Sequence, residues 1–175
     1  MSDFNFDSVC GIYCGACSIM ASYRTGIKDP LALFFNEANV KSFLTSQGQT
    51  YPENEPFEHK CHGCKTSTLF INCRPCPIRA CAVEKKAEHC IECEQYPCDL
   101  FSSRMCNPEI AQNLPHTKAA VKNLNRIKEV GLNQWLTEQE KAWRCPDCGT
   151  DFSWYASACG KCGRDLNSLK DYNSL

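Results

Sequence analysis

The 175 residues contain little that reads as a membrane-directed segment, and none is expected. Its first ten residues, MSDFNFDSVC, hold two acids, no basic residue and no apolar run of seven or more, so no secretory leader is expected. No later segment approaches the eighteen uninterrupted apolar residues of a membrane-spanning helix. A field of one sign is also missing. The net charge is −1, with 4 basic and 7 acidic side chains in residues 1–60 and 15 and 13 in 61–175. Without a basic surface the chain gives no strong nucleic-acid signal, and no membrane partner is expected. No glycine-rich phosphate loop, Gly-x-Ser-x-Gly elbow or His-Glu-x2-His helix occurs. No catalytic residue is nominated, and the reading leans away from an enzyme. Long alternating strand patterns are absent as well, which leaves a mostly helical fold.

What the chain has in excess is cysteine. Sixteen residues make up about 9% of it, near the level that marks a cross-linked or metal-bound scaffold. Such a count fits disulfides in an oxidising compartment or metals in a reducing one. Lacking a leader, the chain is expected in the cytoplasm, where paired thiols favour metal.

The clearest motif lies near the end, in WRCPDCGTDFSWYASACGKCGRD at 143–165. Cys145-x2-Cys148 and Cys159-x2-Cys162 each suit a tight turn that aims two sulfurs at one point. Gly149 and Gly163 follow the second cysteines, where the chain has to turn back. Four thiolates from two such turns form the tetrahedron of a closed structural zinc site. The ten residues between the pairs suit a small hairpin carrying Phe152, Trp154 and Tyr155. A rubredoxin-like iron site is the rival, for which the gap between pairs is a little short.

Upstream, Cys10-x3-Cys14-x2-Cys17 would place three sulfurs on one face of a helix. The same spacing occurs in radical S-adenosylmethionine enzymes, but Ala16 replaces their usual aromatic and the chain is too short for their barrel. Cys61-x2-Cys64 follows. Then Cys73-x2-Cys76-x4-Cys81 recurs seventeen residues later as Cys90-x2-Cys93-x4-Cys98, the spacing of a duplicated metal-binding turn. With Cys106 these make twelve thiols, enough for three four-cysteine sites holding zinc or an iron–sulfur cluster. One partition is Cys61, Cys64, Cys73 and Cys76; Cys81, Cys90, Cys93 and Cys98; and Cys10, Cys14 and Cys17 with Cys106. Interleaved ligation is an equal alternative. His62 and His89 sit beside cysteines as possible substitutes. Arg74 and Arg79 are candidates to neutralise thiolates.

Between the motifs, Asp29-Pro30 opens an apolar segment ending at Gly48, whose Leu33, Phe34, Val40, Phe43 and Leu44 suit one amphipathic helix. Residues 49–60 read as an exposed loop. Ala120, Leu124, Ile127 and Trp135 fall at helical spacing, with Gly131 interrupting, and Trp135 and Trp143 are expected to pack rather than bind.

CGIYCGAC at 10–17, CHGC at 61–64, CPIRACAVEKKAEHCIECEQYPC at 76–98 and the late Trp135-Leu136 to Trp143 stretch resemble the prokaryotic family catalogued as domain of unknown function 3795. The resemblance covers about residues 8–140. It implies a metal-binding, cytoplasmic protein without an assigned activity, often with a C-terminal zinc ribbon. The expected fold is a small, mostly α, metal-stapled cysteine-rich domain over 1–142, a zinc-ribbon-like module over 143–166 and a disordered tail over 167–175. The expected role is a structural-metal interaction or regulatory module with a protein partner. The alternative is an iron–sulfur redox protein or enzyme accessory factor.

Overall fold

The computed structural model describes residues 3–167; the tail expected from 167 onward lies, apart from Asn167, outside the described residues. Local side chains set where helices begin. Asp29 accepts the Ala32 amide at 2.7 Å and Pro30 takes the first helical position, so α2 (Pro30–Phe34) starts there. The single amphipathic helix expected beyond it is broken. Asn36 turns its side-chain oxygen onto the Asn39 amide at 3.0 Å and starts a second helix, α3 (Glu37–Ser46). Val40 and Leu44 are buried. Leu33 and Phe34, off the register of α3, are 60% and 59% exposed, and Phe43 on its flank is 45% exposed. A local cap has overridden the apolar period.

Residues 10–17 do not form one helical face either. Gly11 has φ +86° and an isolated bridge joins Asp7 to Tyr13. Only Cys14–Ala16 make a 3-10 turn, and α1 (Ser18–Thr25) begins after Cys17. A left-handed residue cannot sit inside a right-handed helix, so Cys10, Cys14 and Cys17 are not stacked on one side.

The two copies of the spacing repeat fold differently. In the first, Cys73 closes the 3-10 turn Ile71–Cys73, Cys76 precedes α4 (Pro77–Lys85), and Cys81 lies inside that helix. In the second, Cys90 opens the 3-10 turn Cys90–Glu92, Cys93 follows it, and Cys98 caps α5 (Asp99–Met105). Proline position accounts for the difference. Pro77 directly after the second cysteine starts a helix, whereas Pro97 directly before the third delays one.

Downstream lie α6 (Pro108–Asn113), the 3-10 turn Pro115–Lys118, α7 (Ala119–Val130) and α8 (Leu132–Ala142). Gly131, at φ +82°, separates α7 from α8. Arg126 then clamps Glu138 across the corner with bonds of 3.0 and 2.7 Å. Ala120, Leu124 and Ile127 are buried, and Trp135 is fully enclosed.

The described residues hold no β-strand beyond isolated bridges and no helix long and apolar enough to cross a membrane. The core is split. One cluster groups Ile19, Met20, Val40, Leu44 and Phe70; another groups Tyr13, Ala16, Ile127 and Trp135 with Trp154 from the C-terminal region. A polar pin joins the N-terminal segment to two cysteine loops. Buried Asp7 meets Lys65 at 2.6 Å, His89 at 2.9 Å and Asn5 at 2.6 Å. Burial pushes its carboxyl up, but hydrogen bonds from His89 and Lys65 outweigh this and hold it well below the usual carboxylate range.

Candidate metal centre

The backbone around the paired cysteines repeats one small pattern twice. In the first turn the Cys145 amide donates to the Thr150 carbonyl at 2.9 Å and the Gly149 amide to the Cys145 carbonyl at 2.8 Å. In the second, the Cys159 amide donates to Arg164 at 2.8 Å and Gly163 to Cys159 at 2.9 Å. Bridges Arg144–Asp151 and Ala158–Asp165 close the two turns. Gly149 and Gly163 have φ +70° and +77°, and a Cβ at either would meet open space. They are therefore needed for backbone conformation and not for room. The correspondence runs through CPDCGTDF and CGKCGRDL, whose final residues Phe152 and Leu166 are both buried in one small cluster. That repeat is legible in the sequence as Cys-x2-Cys-Gly-x-Asp-apolar, although attention to the cysteines alone passes over it.

The two turns face each other. Cys145 Sγ lies 3.6 Å from Cys162 Sγ, and Cys148 Sγ lies 3.5 Å from Cys159 Sγ. All four ligand atoms fall within 4.8 Å of one another. The first cysteine of each pair is buried, while Cys148 is half-buried and Cys162 exposed. All sixteen cysteines are free thiols. Hydrogen bonds from Thr150 draw the Cys148 thiol down to about 6. The Arg164 amide pulls Cys162 down, but desolvation and the crowding of Cys148, Cys145 and Cys159 outweigh it and push that thiol up to about 12. Four sulfurs this close cannot all ionise without a cation between them. The group as a whole therefore carries protons that a bound metal has to displace. Metal affinity is therefore expected to fall on acidification by at least about tenfold per pH unit. Chelator competition for zinc at two pH values measures this, and a flat profile would contradict the geometry.

The ten residues between the pairs do not form the expected hairpin, because each turn closes on itself. They dock instead on the helical region. Ser153 Oγ donates to Asp29 Oδ2 at 2.5 Å, the same oxygen that takes Ser18 Oγ at 2.5 Å. The Trp154 amide donates to the Ala16 carbonyl at 2.9 Å, and Arg24 pairs with Asp151 at 2.7 Å. The indole of Trp154 stacks on His116 with 3.9 Å between ring centres. Tyr155 hydroxyl sits 2.7 Å from His116 Nδ1. Sequence reasoning took Asp29 only as a helix start and missed His116 and Ser153, because none of the three carries a local signal of partners more than thirty residues away.

Burial pushes the His116 imidazole down from 6.5 to about 3. Its folded pKa is depressed, so the unfolded chain binds the proton between these values and stability falls as pH drops below 6.5. From pH 6.5 to about pH 5 the loss is about 2 kcal/mol. Urea unfolding of the protein should show that fall, and a His116→Phe variant should show a fall smaller by that amount. Equal slopes in both would exclude His116 as the source.

The other twelve thiols are spread more widely. Among the described residues, no further group of three or more His, Cys, Asp or Glu side chains converges as closely as the C-terminal four. Cys14 is acted on by Cys64, Cys17 and Cys10; Cys17 by Cys61; and Cys73 by Cys17, Cys61, Cys76 and Cys64. The structure thus interleaves Cys10, Cys14 and Cys17 with Cys61, Cys64, Cys73 and Cys76. Burial raises Cys17 to about 11 and Cys64 to about 12, the latter partly offset by Arg79. Cys106 is exposed at the end of α5, where it acts on Tyr96. Cys90 is acted on by Cys10 and then by Cys98, Cys81 and Cys93, and of these Cys81, Cys93 and Cys98 line one pocket with it. Neither histidine faces the thiols as a ligand set: His89 is engaged by Asp7, and His62 packs against Phe4 and Tyr23. Arg74 pairs with Glu55 at the surface. Arg79 acts on Cys64, and Lys85 reaches a second thiol, its Nζ 3.8 Å from Cys93 Sγ.

The family described as "Protein of unknown function (DUF3795)" matches residues 6–103, more than half of the chain. No curated protein and no solved structure matches it. The family match ends in α5, and the paired turns lie beyond it.

Proposed function

The chain belongs to the DUF3795 family, and from that premise we propose that it is a cytoplasmic zinc-binding protein in which a C-terminal zinc ribbon serves as an interaction or regulatory module. In this reading residues 1–142 are the cysteine-rich domain and 143–166 the ribbon. The carrying observation is the convergence of Cys145, Cys148, Cys159 and Cys162. Zinc bonds to thiolate of 2.3 Å put the sulfurs of a tetrahedron about 3.8 Å apart. The closest pairs here, at 3.6 and 3.5 Å, fit that figure with little adjustment.

A four-thiolate site leaves no position for water, so the metal would hold the module in shape and not activate a nucleophile. So few residues bury too little apolar surface to fold unaided, and metal binding would supply most of their folding free energy. A protein-partner role draws on the exposed Leu33, Phe34 and Phe43.

The test is elemental analysis with an optical spectrum on anaerobically purified protein. Zinc that is lost from a Cys148→Ser variant supports the reading. Iron at these four thiols, with the colour of a rubredoxin-like site, would overturn it. Zinc that passes at once to a weak chelator would favour metal delivery over a structural role.

A further inference from the structure

Four thiols far from the paired turns line one pocket. Cys81 comes from α4, Cys90 and Cys93 from the turn that follows, and Cys98 from the cap of α5. The pocket encloses an empty volume of about 410 Å3, its solvent mouth included. Its walls are apolar, with Ile78 and Ala82 on one side and Leu100 and Phe101 on the other. Cys90 is within electrostatic reach of the other three thiols. Even so, no three of these four converge within the 4.8 Å that encloses the C-terminal set.

That combination argues for more than one metal atom. A single ion needs its sulfurs nearly in contact, and thiols spread around a void would have to drag backbone with them. A polynuclear cluster fills the void itself and places an iron under each sulfur. Apolar walls exclude water from such a cluster, and a nearby cation offsets the charge of four thiolates. Lys85 stands at the pocket in that position, 3.8 Å from Cys93 Sγ and held by Gln95.

We propose that Cys81, Cys90, Cys93 and Cys98 hold a cubane iron–sulfur cluster in this pocket. Loading is a ligand exchange without change of oxidation state. Each cysteine thiol gives up its proton and forms one iron–sulfur bond, while the small thiolate it displaces leaves and takes up a proton. The site shares no residue with the C-terminal turns.

The experiment uses the full chain, purified without oxygen with zinc in the paired turns and treated with a synthetic cubane cluster bearing small-thiol ligands. Bound iron and sulfide are measured, and free thiols are alkylated and mapped by mass spectrometry. Wild-type protein is expected to gain charge-transfer absorption and to shield Cys81, Cys90, Cys93 and Cys98 from alkylation. A Cys93→Ser/Cys98→Ser variant should bind about four fewer irons and four fewer sulfides per chain, while Val83→Ala, exposed on α4 and outside the pocket, binds the wild-type amount. Equal iron in wild type and double variant, or iron-loaded protein with these four thiols still open to alkylation, overturns the proposal. The alkylation map needs no variant, so a misfolded double variant does not blur the answer. Loss of zinc with iron retained would sink only the ribbon reading.

Discussion

Replacing Cys145 by serine is expected to abolish metal binding at the paired turns and lower the melting temperature of the whole chain by on the order of 10 °C. The size follows from what the paired turns hold in place. Cys145 is 2% exposed and forms one edge of the four-sulfur group, so its loss removes a ligand that no neighbour can replace. Once the turns open, Trp154 leaves the cluster it shares with Tyr13, Ala16, Ile127 and Trp135. Asp29, 6% exposed, also loses the Ser153 hydroxyl. Removing a buried tryptophan from a core typically costs about 3–5 kcal/mol. For a chain of this length each kcal/mol is worth roughly 2–4 °C. Helical content should survive at low temperature, because α1 to α8 lie outside the turns. Calorimetry alongside zinc analysis tests this, and chelated wild-type protein should behave like the variant. A zinc-free variant that melts with the wild type would show that the turns are not coupled to the helices.

Trp135→Ala is expected to destabilise the chain by about 3–5 kcal/mol, enough to leave a marginal domain substantially unfolded at elevated temperature. Its side chain is 0% exposed and meets Tyr13 edge-on at 5.9 Å between ring centres. Trp135→Phe should cost distinctly less than its lost volume suggests. The indole Nε1–H has no hydrogen-bond partner among the described residues, so phenylalanine removes an unsatisfied buried donor together with the carbon atoms. Denaturant unfolding of both variants separates the two contributions. If phenylalanine were as damaging as alanine, the packing account of this residue would fail.

Short-range chemistry was readable without coordinates. Asp29-Pro30 announced a helix start, Gly131 announced a break, and the spacing of Ala120, Leu124 and Ile127 gave the buried face of α7. Other regular patterns misled for a stated reason. Asn36 carries a side chain that competes with helix continuation, and Gly11 takes a conformation that no α-helix accepts. The second copy of the cysteine spacing parted from the first because one proline moved.

The sequence by itself determined the four cysteines of the paired turns, since a Cys-x2-Cys turn is closed by bonds between near neighbours. It also placed the chain in its family. Only the tertiary structure decided that Ser153 meets Asp29 and Trp154 meets His116, and only it showed that Cys81, Cys90, Cys93 and Cys98, one of the groupings the spacing allowed, line a common pocket. Those pairings depend on how short helices and turns pack together. Packing is set by the sum of many weak contacts across the whole chain, and no local spacing encodes that sum.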